Sequence, residues 1–296
     1  MSLLKVLHPD IQYRVLVKHI IKYGDFKTGR NGNTLSSFGN KMTFCLRDNK
    51  VPFLSTKKLA WRSCLRELLW FMKGSTDNRI LTDDKVTIWN GNADRDFLKS
   101  RGLNYSIDGD LGPIYGHQWR HFNATYDNCE TDYTGKGVDQ LQQIVNSLKD
   151  DNEKFSRRLI LSAWNPEQLN EMALPPCHVM SQFYVTPNNE LSCMLFQRSG
   201  DVGLGVPFNI ASYSILTHLI AKHCGLEAKE FVYFLGNAHI YDDHLEPLKE
   251  QMMRSPLPFP KLEILQTRLN IDDYTADDFK LLDYQYHKKI KMEMRK

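Results

Sequence analysis

The chain has 296 residues, of which 42% are hydrophobic, and its formal net charge is +3. This length is enough to bury a large core in one large domain or two smaller ones. The charge is nearly balanced and contains no dense basic block, which disfavours a nucleic-acid-binding surface. No apolar stretch reaches the length of a membrane span, and the N-terminal MSLLKVLHPD lacks a signal-peptide pattern, so we expect an intracellular, cytoplasmic protein.

The cysteines and histidines argue against a metal centre. Six cysteines are scattered at positions 45, 64, 129, 177, 193 and 224 without a CxxC pair, which favours reduced thiols over a zinc ribbon or a disulfide framework. The segment HIYDDH (239–244) contains histidines and acids but does not match HExxH. We therefore expect no bound metal.

Hydrophobic periodicity predicts helices and strands in blocks. The predicted helices cover residues 10–23, 61–74, 138–150 and 208–225, the first ended by Gly24 and the second by Gly74. The predicted strands cover residues 38–48, 158–164, 179–186, 191–199 and 231–241, with PNNE joining the third and fourth as a hairpin. This order indicates an α+β fold with a helical layer on a mostly antiparallel or mixed sheet. Because no linker or internal repeat divides the chain, we expect a single domain over residues 1–296.

Cys177 follows two prolines in ALPPCHVMSQFYV, at the entry to a predicted strand. Each proline fixes its own φ and biases the preceding residue toward an extended conformation, so the thiol is expected at a rigid position. Most cysteines are small buried hydrophobes, whereas a nucleophilic one needs positive charge nearby to form its thiolate. The candidates for that charge are Arg157, Arg158 and Arg198, and Arg198 lies on the predicted hairpin partner of the Cys177 strand.

His178 is adjacent to Cys177 in an extended segment, so the two side chains are expected on opposite faces. This placement disfavours a direct Cys–His ion pair. His178 either orients another group or packs in the core, and the sequence does not choose between these alternatives.

Three arginine-containing segments, GRNGNTLS (29–36), SRR (156–158) and QRSGD (197–201), combine guanidinium groups with small hydroxyl residues. A single segment of this kind more often carries a solvated surface arginine. Three such segments in one chain favour a site for a phosphate or carboxylate ligand. The segment GDVGLGVPFN (200–209) matches no phosphate-loop pattern. Its glycines allow close approach to a flat ligand, and the Asn209 amide offers a donor and an acceptor to a heterocycle edge.

Glu67 lies within the otherwise apolar predicted helix 61–74. A buried carboxyl group there would have a raised pKa and would suit proton transfer, while a surface-facing glutamate is equally compatible with the periodicity.

The ordered motifs resemble the thymidylate synthase family over nearly the whole chain. The segments that carry the resemblance are FLSTKK, ELLWFMKGSTD, IWNGN, GDLGPIYGHQWRHF, DYTGKGVDQL, RRLILSAWNP, MALPPCH, QFYV, LSCMLFQRS, GLGVPFNIASY, GNAHIYDDHLEPLKEQ and PFPKL. The resemblance implies a homodimer, with the sheet as its interface, that methylates dUMP to dTMP. The implied cosubstrate is 5,10-methylenetetrahydrofolate, which donates both the one-carbon unit and the hydride, and no metal is implied.

The resemblance also implies roles for individual residues. Cys177 would add to C6 of the uracil, and the other implied catalytic residues are Glu67, Tyr115, His178 and Arg198. The implied dUMP-binding residues are Arg30, Gln197, Arg198, Ser199, Asp201, Asn209, Ser212, His239 and Tyr241, with Arg157 and Arg158 supplied by the partner subunit. The implied folate-binding residues are Lys57, Trp89, Asn90, Asp201 and Gly205.

The chain departs from the family pattern in four places. The loop GRNGNTLS is one residue shorter between Arg30 and TLS than the family's usual segment, which puts the phosphate role of Arg30 in doubt. Asn237 stands where many members have aspartate, and Gly200 where cysteine or alanine is common. The chain ends in Arg295 and Lys296 where the family commonly has small or apolar residues, so closure of this tail over the folate is expected to be changed electrostatically.

Three alternatives remain on sequence grounds. A dUMP hydroxymethylase would share the cysteine, the phosphate site and the folate, but water would capture the exocyclic methylene group. A cysteine hydrolase would cleave an ester or amide without folate. A binding protein would have no activity at all.

Overall fold

The computed structural model describes residues 8–29 and 32–295, so Arg30 lies outside the described residues. The α-helices within this part are α1 (Ile11–Tyr23), α2 (Trp61–Met72), α3 (Asn78–Asp83), α4 (Arg95–Ser100), α5 (Tyr115–His121), α6 (Gln140–Lys149), α7 (Gly205–His223) and α8 (Leu245–Met253). The strands are β1 (Asp25–Gly29), β2 (Gly32–Cys45), β3 (Ile160–Ser162), β4 (His178–Val185), β5 (Glu190–Asp201), β6 (Glu227–Tyr241), β7 (Lys261–Ile264) and β8 (Phe279–Leu282).

The main sheet has six strands in the order β1-β2-β6-β5-β4-β3, and β7 pairs with β8 in a small second sheet. All neighbouring strands of the main sheet are antiparallel except β5 and β6, which run parallel with Phe196 beside Phe234 and Asp201 beside His239. Parallel neighbours need a crossover, and α7 supplies it. The carboxyl ends of β5 and β6 therefore meet at one edge of the sheet.

Helix α7 is buried on nearly all sides, which explains its almost uninterrupted apolar sequence. It packs on β5 and β6 and contacts α2 on its other side. The core between them includes the fully buried Phe44 and Phe231, which face each other across β2 and β6 with ring centroids 6.5 Å apart. Within the described part of the chain, no helix is both long and apolar enough to cross a membrane.

The predicted α+β class with a mixed sheet is confirmed, and so is the hairpin of β4 and β5. All four predicted helices and all five predicted strands are present, with β2 and β6 extending further toward the N-terminus than predicted. The sequence did not predict β1, β7, β8, the helices α3 to α5 and α8, or the parallel pairing of β5 with β6. Periodicity reports which side of a strand is buried, but the partner of a strand depends on contacts remote in sequence.

The face of the main sheet that points away from α7 carries exposed apolar side chains. Ile160, Tyr184, Phe196 and Phe234 are each between 38% and 56% exposed. Their strands are neighbours in the sheet, so these side chains form one apolar surface, here called the outer face. A contiguous exposed apolar surface of this kind is typical of a protein interface.

Candidate active site

Cys177 and Arg198 are brought together by the two prolines that precede the cysteine. The guanidinium of Arg198 donates to the Pro176 carbonyl at 2.9 Å and to the Pro175 carbonyl at 2.8 Å. The backbone N–H of Arg198 donates to the Cys177 carbonyl at 2.9 Å. A guanidinium nitrogen consequently lies 3.7 Å from the Cys177 Sγ, as the hairpin geometry predicted.

The thiol is half-buried, and burial is the larger influence on its acidity. Burial raises the pKa of the Cys177 thiol, and the positive charge of Arg198 opposes that rise only in part. Arg198 alone therefore leaves the thiol protonated at neutral pH in the isolated chain. A thiolate requires further positive charge or transfer of its proton to another group.

Tyr115 connects the cysteine to helix α5. Its hydroxyl oxygen accepts the backbone N–H of Cys177 at 2.7 Å and lies 3.4 Å from the N–H of His178. The imidazole of His178 is buried between the rings of Tyr115 and Tyr213, with centroid distances of 5.0 and 5.3 Å. Burial lowers the pKa of His178 to about 4, although a hydrogen bond with Asn209 opposes that effect, so the imidazole is neutral at pH 7.

Glu67 is buried, which resolves the alternative left by the sequence. Its side chain is 7% exposed, and its Oε1 accepts the indole N–H of Trp89 at 2.7 Å. Burial raises the pKa of Glu67 to about 7, against the opposing effect of this hydrogen bond. A carboxyl group that titrates near neutral pH can both accept and donate a proton.

The amides of Gln197 and Asn209 form a buried pair. The Gln197 Nε2 donates to the Asn209 Oδ1 at 3.0 Å and to the Ser199 carbonyl at 2.9 Å. Helix α7 supplies Asn209, and Ser212, one turn further along, is also buried. Gly205 begins α7, and a Cβ added there would lie 3.7 Å from the Asn209 Oδ1 and 3.9 Å from the Asp201 Cβ, both ordinary van der Waals contacts.

The adjoining ends of β5 and β6 carry the remaining polar side chains. Asp201 accepts the Gly203 N–H at 2.8 Å, and its Oδ1 lies 3.4 Å from the Nδ1 of His244. His239 pairs with Asp201 across the parallel strands, and its imidazole Nδ1 is 3.1 Å from the Asn237 Oδ1. The ring of Tyr241 lies 5.2 Å from that of His239.

A cavity of about 340 Å³ lies between the segment 87–94 and the C-terminal segment. It is lined by Thr87, Ile88, Asn90, Gly91, Asn92, Asp94, Met294 and Arg295. The side-chain oxygen of Asn90 is occupied, because its Oδ1 accepts from the Asn78 Nδ2 at 3.0 Å and from the Thr82 hydroxyl at 3.1 Å. Asn92, which the sequence reading did not select, has no such bonds to the described residues and belongs to the same IWNGN segment.

The C-terminal segment is held over this cavity. Arg295 forms ion pairs with Asp243 at 2.9 Å and Asp242 at 3.6 Å, and its guanidinium lies 5.8 Å from the Tyr241 ring. The Glu293 carbonyl is 2.8 Å from the His244 Nε2. The sequence identified the charge of this tail, whereas its partners became apparent only in the fold.

Lys57 is buried under the same segment. Its ammonium group donates to the Gly203 carbonyl and lies 3.8 Å from the Met292 Sδ. Burial lowers the pKa of Lys57 to about 8, and the nearby Asp201 carboxylate partly offsets this effect.

Arg157 and Arg158 lie apart from the cluster around Cys177. Both are exposed, next to Ile160 at the β3 edge of the outer face. Within residues 8–29 and 32–295, no hydrogen bond or ion pair joins either guanidinium to Cys177, Gln197 or Asn209. Over the same residues, no group of three or more histidine, cysteine or acidic side chains is placed to hold a metal ion.

Replacing Glu67 by glutamine tests its burial through the pH dependence of stability. The folded-state pKa of about 7 exceeds the ordinary value of 4.5, so the contribution of Glu67 to stability is greatest below pH 4.5 and is lost as pH rises through 7. At pH 8 we expect the free energy of unfolding of Glu67→Gln to exceed that of the original chain by on the order of 2 to 3 kcal/mol. At pH 5 the difference should be much smaller.

Urea denaturation at both pH values measures this difference. Glu246→Gln, which removes an exposed glutamate, is the control and should show no such pH dependence. An equal effect of Glu67→Gln at pH 5 and pH 8 would contradict the assignment.

Comparisons with known proteins point to a single family. A family model described as thymidylate synthase matches residues 11–296. The chain is 52% identical over 288 residues to the human thymidylate synthase, covering 97% of this chain and 91% of that protein. It is 50% identical over 293 residues to the thymidylate synthase of Saccharomyces cerevisiae, covering 96% of each.

The chain is also 52% identical to the bifunctional dihydrofolate reductase-thymidylate synthase of Zea mays. It spans 54% of that relative, about half its length. The match of the family model, the two relatives that it covers almost completely and the geometry around Cys177 lead to one conclusion: this chain belongs to the thymidylate synthase family.

Proposed function

We propose that this chain converts dUMP to dTMP by reductive methylation, with 5,10-methylenetetrahydrofolate as cosubstrate. The observation that carries the proposal is a thiol held 3.7 Å from a fixed guanidinium, together with the buried amide pair of Gln197 and Asn209. A hydrolase would need the thiol paired with a general base, yet the neutral His178 is packed between two tyrosine rings. We further propose that residues 1–296 form one domain, and a cytoplasmic location stays a prediction.

Cys177 is the proposed nucleophile. Its sulfur bonds to C6 of the uracil ring, and the electron pair of the C5–C6 double bond moves toward C5 and O4, which makes C5 nucleophilic. The hydrogen bonds from Arg198 to the two prolyl carbonyls keep the guanidinium beside the sulfur without neutralising its charge. The phosphate arginines of the complete site would add positive potential and favour the thiolate further.

Asn209 is proposed to recognise uracil, because an amide can donate to O4 and accept from N3–H. Glu67, Tyr115 and His178 are proposed to move protons at O4 and C5. The pKa of Glu67 near 7 supports this role, because the group can exchange a proton at neutral pH. The neutral His178 beside Asn209 can accept or donate a hydrogen bond there.

Arg198, Ser199 and Arg30 are proposed to bind the dUMP phosphate, with Gln197 and Ser212 in the nucleotide pocket and His239 and Tyr241 at the deoxyribose hydroxyl. The position of His239 and Tyr241 on β6, beside the end of β5, supports that grouping. Arg30 lies outside the described residues, and its role stays a prediction.

The folate would supply the one-carbon unit and the hydride at C5 and leave as dihydrofolate. The cavity beneath the C-terminal segment supports this proposal, because the Asn92 amide and the Arg295 guanidinium line it and can form hydrogen bonds with a polar heterocycle. Asp201, Gly205 and Asn90 are proposed to meet the pterin. Lys57 is proposed to reach the glutamate tail, which requires the C-terminal segment to lift from its present position over the ammonium group.

A homodimer that uses the outer face would complete the site. The outer face is apolar at Ile160, Tyr184, Phe196 and Phe234, and a second copy of the chain would bury it. Arg157 and Arg158 stand at the edge of this surface and remain free of the Cys177 cluster of their own chain. We propose that they reach the phosphate site of the partner.

Replacing Cys177 by serine tests the covalent mechanism. We expect the variant to lose about 10³-fold or more of its release of tritium from [5-³H]dUMP, because a serine hydroxyl is a far weaker nucleophile. With the original chain, dihydrofolate should form in step with dTMP and be measurable by absorbance.

Two outcomes would contradict the proposal. Tetrahydrofolate together with a 5-hydroxymethyl product, and no dihydrofolate, would favour the hydroxymethylase. Undiminished tritium release by Cys177→Ser would exclude the thiol as nucleophile.

Mixing two inactive variants tests the shared site. One subunit carries Cys177→Ser, and the other carries Arg157→Ala with Arg158→Ala. In a heterodimer, the site that keeps Cys177 receives its arginines from the other subunit, so random exchange should restore about a quarter of the original activity.

The matched control pairs Cys177→Ser with Glu67→Gln. These side chains belong to the same pocket of one chain, so each site of that heterodimer lacks one of them and no activity should return. Recovery in the control, or its absence in the arginine mixture, would contradict the proposed division between subunits.

Replacing Arg295 by alanine tests the attachment of the C-terminal segment. Arg295, Asp242 and Asp243 are all partly exposed, and each such ion pair contributes about 0 to 1 kcal/mol. Because the segment must lift from this position to admit the folate, we expect the KM for the folate to fall about two- to fivefold, with a smaller decrease at high salt because the ion pairs are already screened.

Steady-state kinetics at low and high salt measure the effect. Lys291→Ala is the control, since it removes an exposed ion pair within the same segment and should leave KM unchanged. The same change of KM at both salt concentrations would show that the tail is not held by charge.

A further inference from the structure

A buried tyrosine outside the proposed set of site residues contacts the amide pair. Tyr233 lies on β6, the strand between β2 and β5, and its side chain is fully buried. Its hydroxyl is 2.6 Å from the Gln197 Oε1. Its ring packs against Phe231, with centroids 5.7 Å apart.

The orientation of the Gln197 amide follows from its partners. The Ser199 carbonyl can only accept a hydrogen bond, so the end of Gln197 that lies 2.9 Å from it must be the nitrogen. The other end is then the oxygen, and the Tyr233 hydroxyl must donate to it. The amide N–H groups and the amide oxygen of Gln197 all have partners in this orientation. A flip of the amide would place the Gln197 Oε1 against the Ser199 carbonyl oxygen, and two acceptors cannot form a hydrogen bond.

The orientation of Asn209 follows in turn. The second hydrogen of the Gln197 Nε2 points at Asn209 from 3.0 Å, and only an oxygen can accept it. The Asn209 Nδ2 therefore remains the donor available to a ligand, with one lone pair of Oδ1 beside it. His178 also contacts Asn209, but a neutral imidazole can donate or accept, so it follows the orientation of the amide and does not determine it.

This arrangement distinguishes two pyrimidines. Uracil presents an acceptor at O4 and a donor at N3, which match the Nδ2 and Oδ1 of Asn209. Cytosine presents a donor at N4 and an acceptor at N3, which would require the opposite orientation of Asn209. A site that must hold an amide against its preferred orientation loses affinity for the wrong base.

We propose that Tyr233 is a specificity-determining positioning residue: its hydroxyl fixes Gln197, and Gln197 fixes Asn209 in the orientation that selects uracil over cytosine. This inference rests on the proposed function. Tyr233 itself does not have to touch the nucleotide. Its position on an interior strand, packed on Phe231, holds the hydroxyl in a constant place while the pocket fills.

Tyr233→Phe removes only the hydroxyl and leaves the packing. We expect dUMP to bind about fivefold more weakly, in keeping with the loss of one buried hydrogen bond and a smaller population of the competent orientation. The affinity for deoxyribose 5-phosphate, which lacks the base, should be unchanged, and the preference for dUMP over dCMP should fall. Since Tyr233 is proposed to touch no reacting atom, KM should rise while kcat changes little.

Titration calorimetry with dUMP, dCMP and deoxyribose 5-phosphate measures the binding, with steady-state kinetics alongside. Tyr274→Phe is the matched control, because Tyr274 is equally buried and its hydroxyl accepts a backbone N–H of Arg268. That control should retain the dUMP preference, whatever it does to stability.

The outcomes distinguish a failure of the Tyr233 inference from a failure of the proposed function. An equal loss of affinity for dUMP and for deoxyribose 5-phosphate in Tyr233→Phe, or no loss, would overturn the inference while leaving the proposed function intact. Failure of the original chain to bind and convert dUMP would instead refute the proposed function, and this inference with it.

A second variant keeps the test decisive if Tyr233→Phe does not fold. Gln197→Glu removes both N–H groups of the side chain, which donate to the Ser199 carbonyl and to the Asn209 Oδ1. The preference for dUMP over dCMP should therefore fall more than in Tyr233→Phe. An unchanged ratio of dUMP to dCMP affinity in Gln197→Glu would also overturn the inference.

Discussion

The parallel pairing of β5 with β6 is the constraint on which the rest of the site depends. Antiparallel strands would place the end of one beside the start of the other, whereas this pair brings both carboxyl ends to one edge. Asp201 and His239 thereby become neighbours, although they are far apart in the chain. Helix α7, which makes the parallel crossover, also delivers Asn209 to the same place, so the crossover builds both the sheet and the pocket floor.

Desolvation is the main physical influence on the ionisable groups of the site. Burial raises the pKa of Cys177 and Glu67 and lowers that of His178 and Lys57, in each case favouring the neutral form. At pH 7 Cys177 and His178 are thus neutral in the isolated chain, Glu67 is about half ionised, and Lys57 remains mostly protonated although its pKa has fallen to about 8. Incoming charges, such as the phosphate with its arginines, would then have large effects on them because the surroundings are poorly screened.

Rigid hydrogen-bonded supports surround the groups that are proposed to touch the substrates. The prolyl carbonyls hold Arg198, the indole of Trp89 holds Glu67, and Gln197 holds Asn209. By contrast, the C-terminal segment is attached through partly exposed ion pairs of Arg295, which contribute little each. The pocket floor is therefore expected to be preorganised, while its cover opens and closes at small cost.

The amino-acid sequence by itself predicted the four longer helices α1, α2, α6 and α7, five strands of the main sheet, the α+β class and the hairpin that sets Arg198 beside Cys177. These features depend on periodicity, on proline geometry and on neighbours within one hairpin, all of which are local. The ordered motifs also identified the family, because they extend over nearly the whole chain.

Only the tertiary structure decided what depends on contacts between distant segments. It showed that Glu67 is buried against Trp89, that the Asn90 oxygen is occupied by Asn78 and Thr82, and that Arg295 finds Asp242 and Asp243. It also brought Tyr233 to Gln197. The sequence specifies the type of each side chain, but the packing of strands and helices sets its burial and its hydrogen-bond partners. Burial and partners in turn determine the pKa of a carboxyl group and the orientation of an amide.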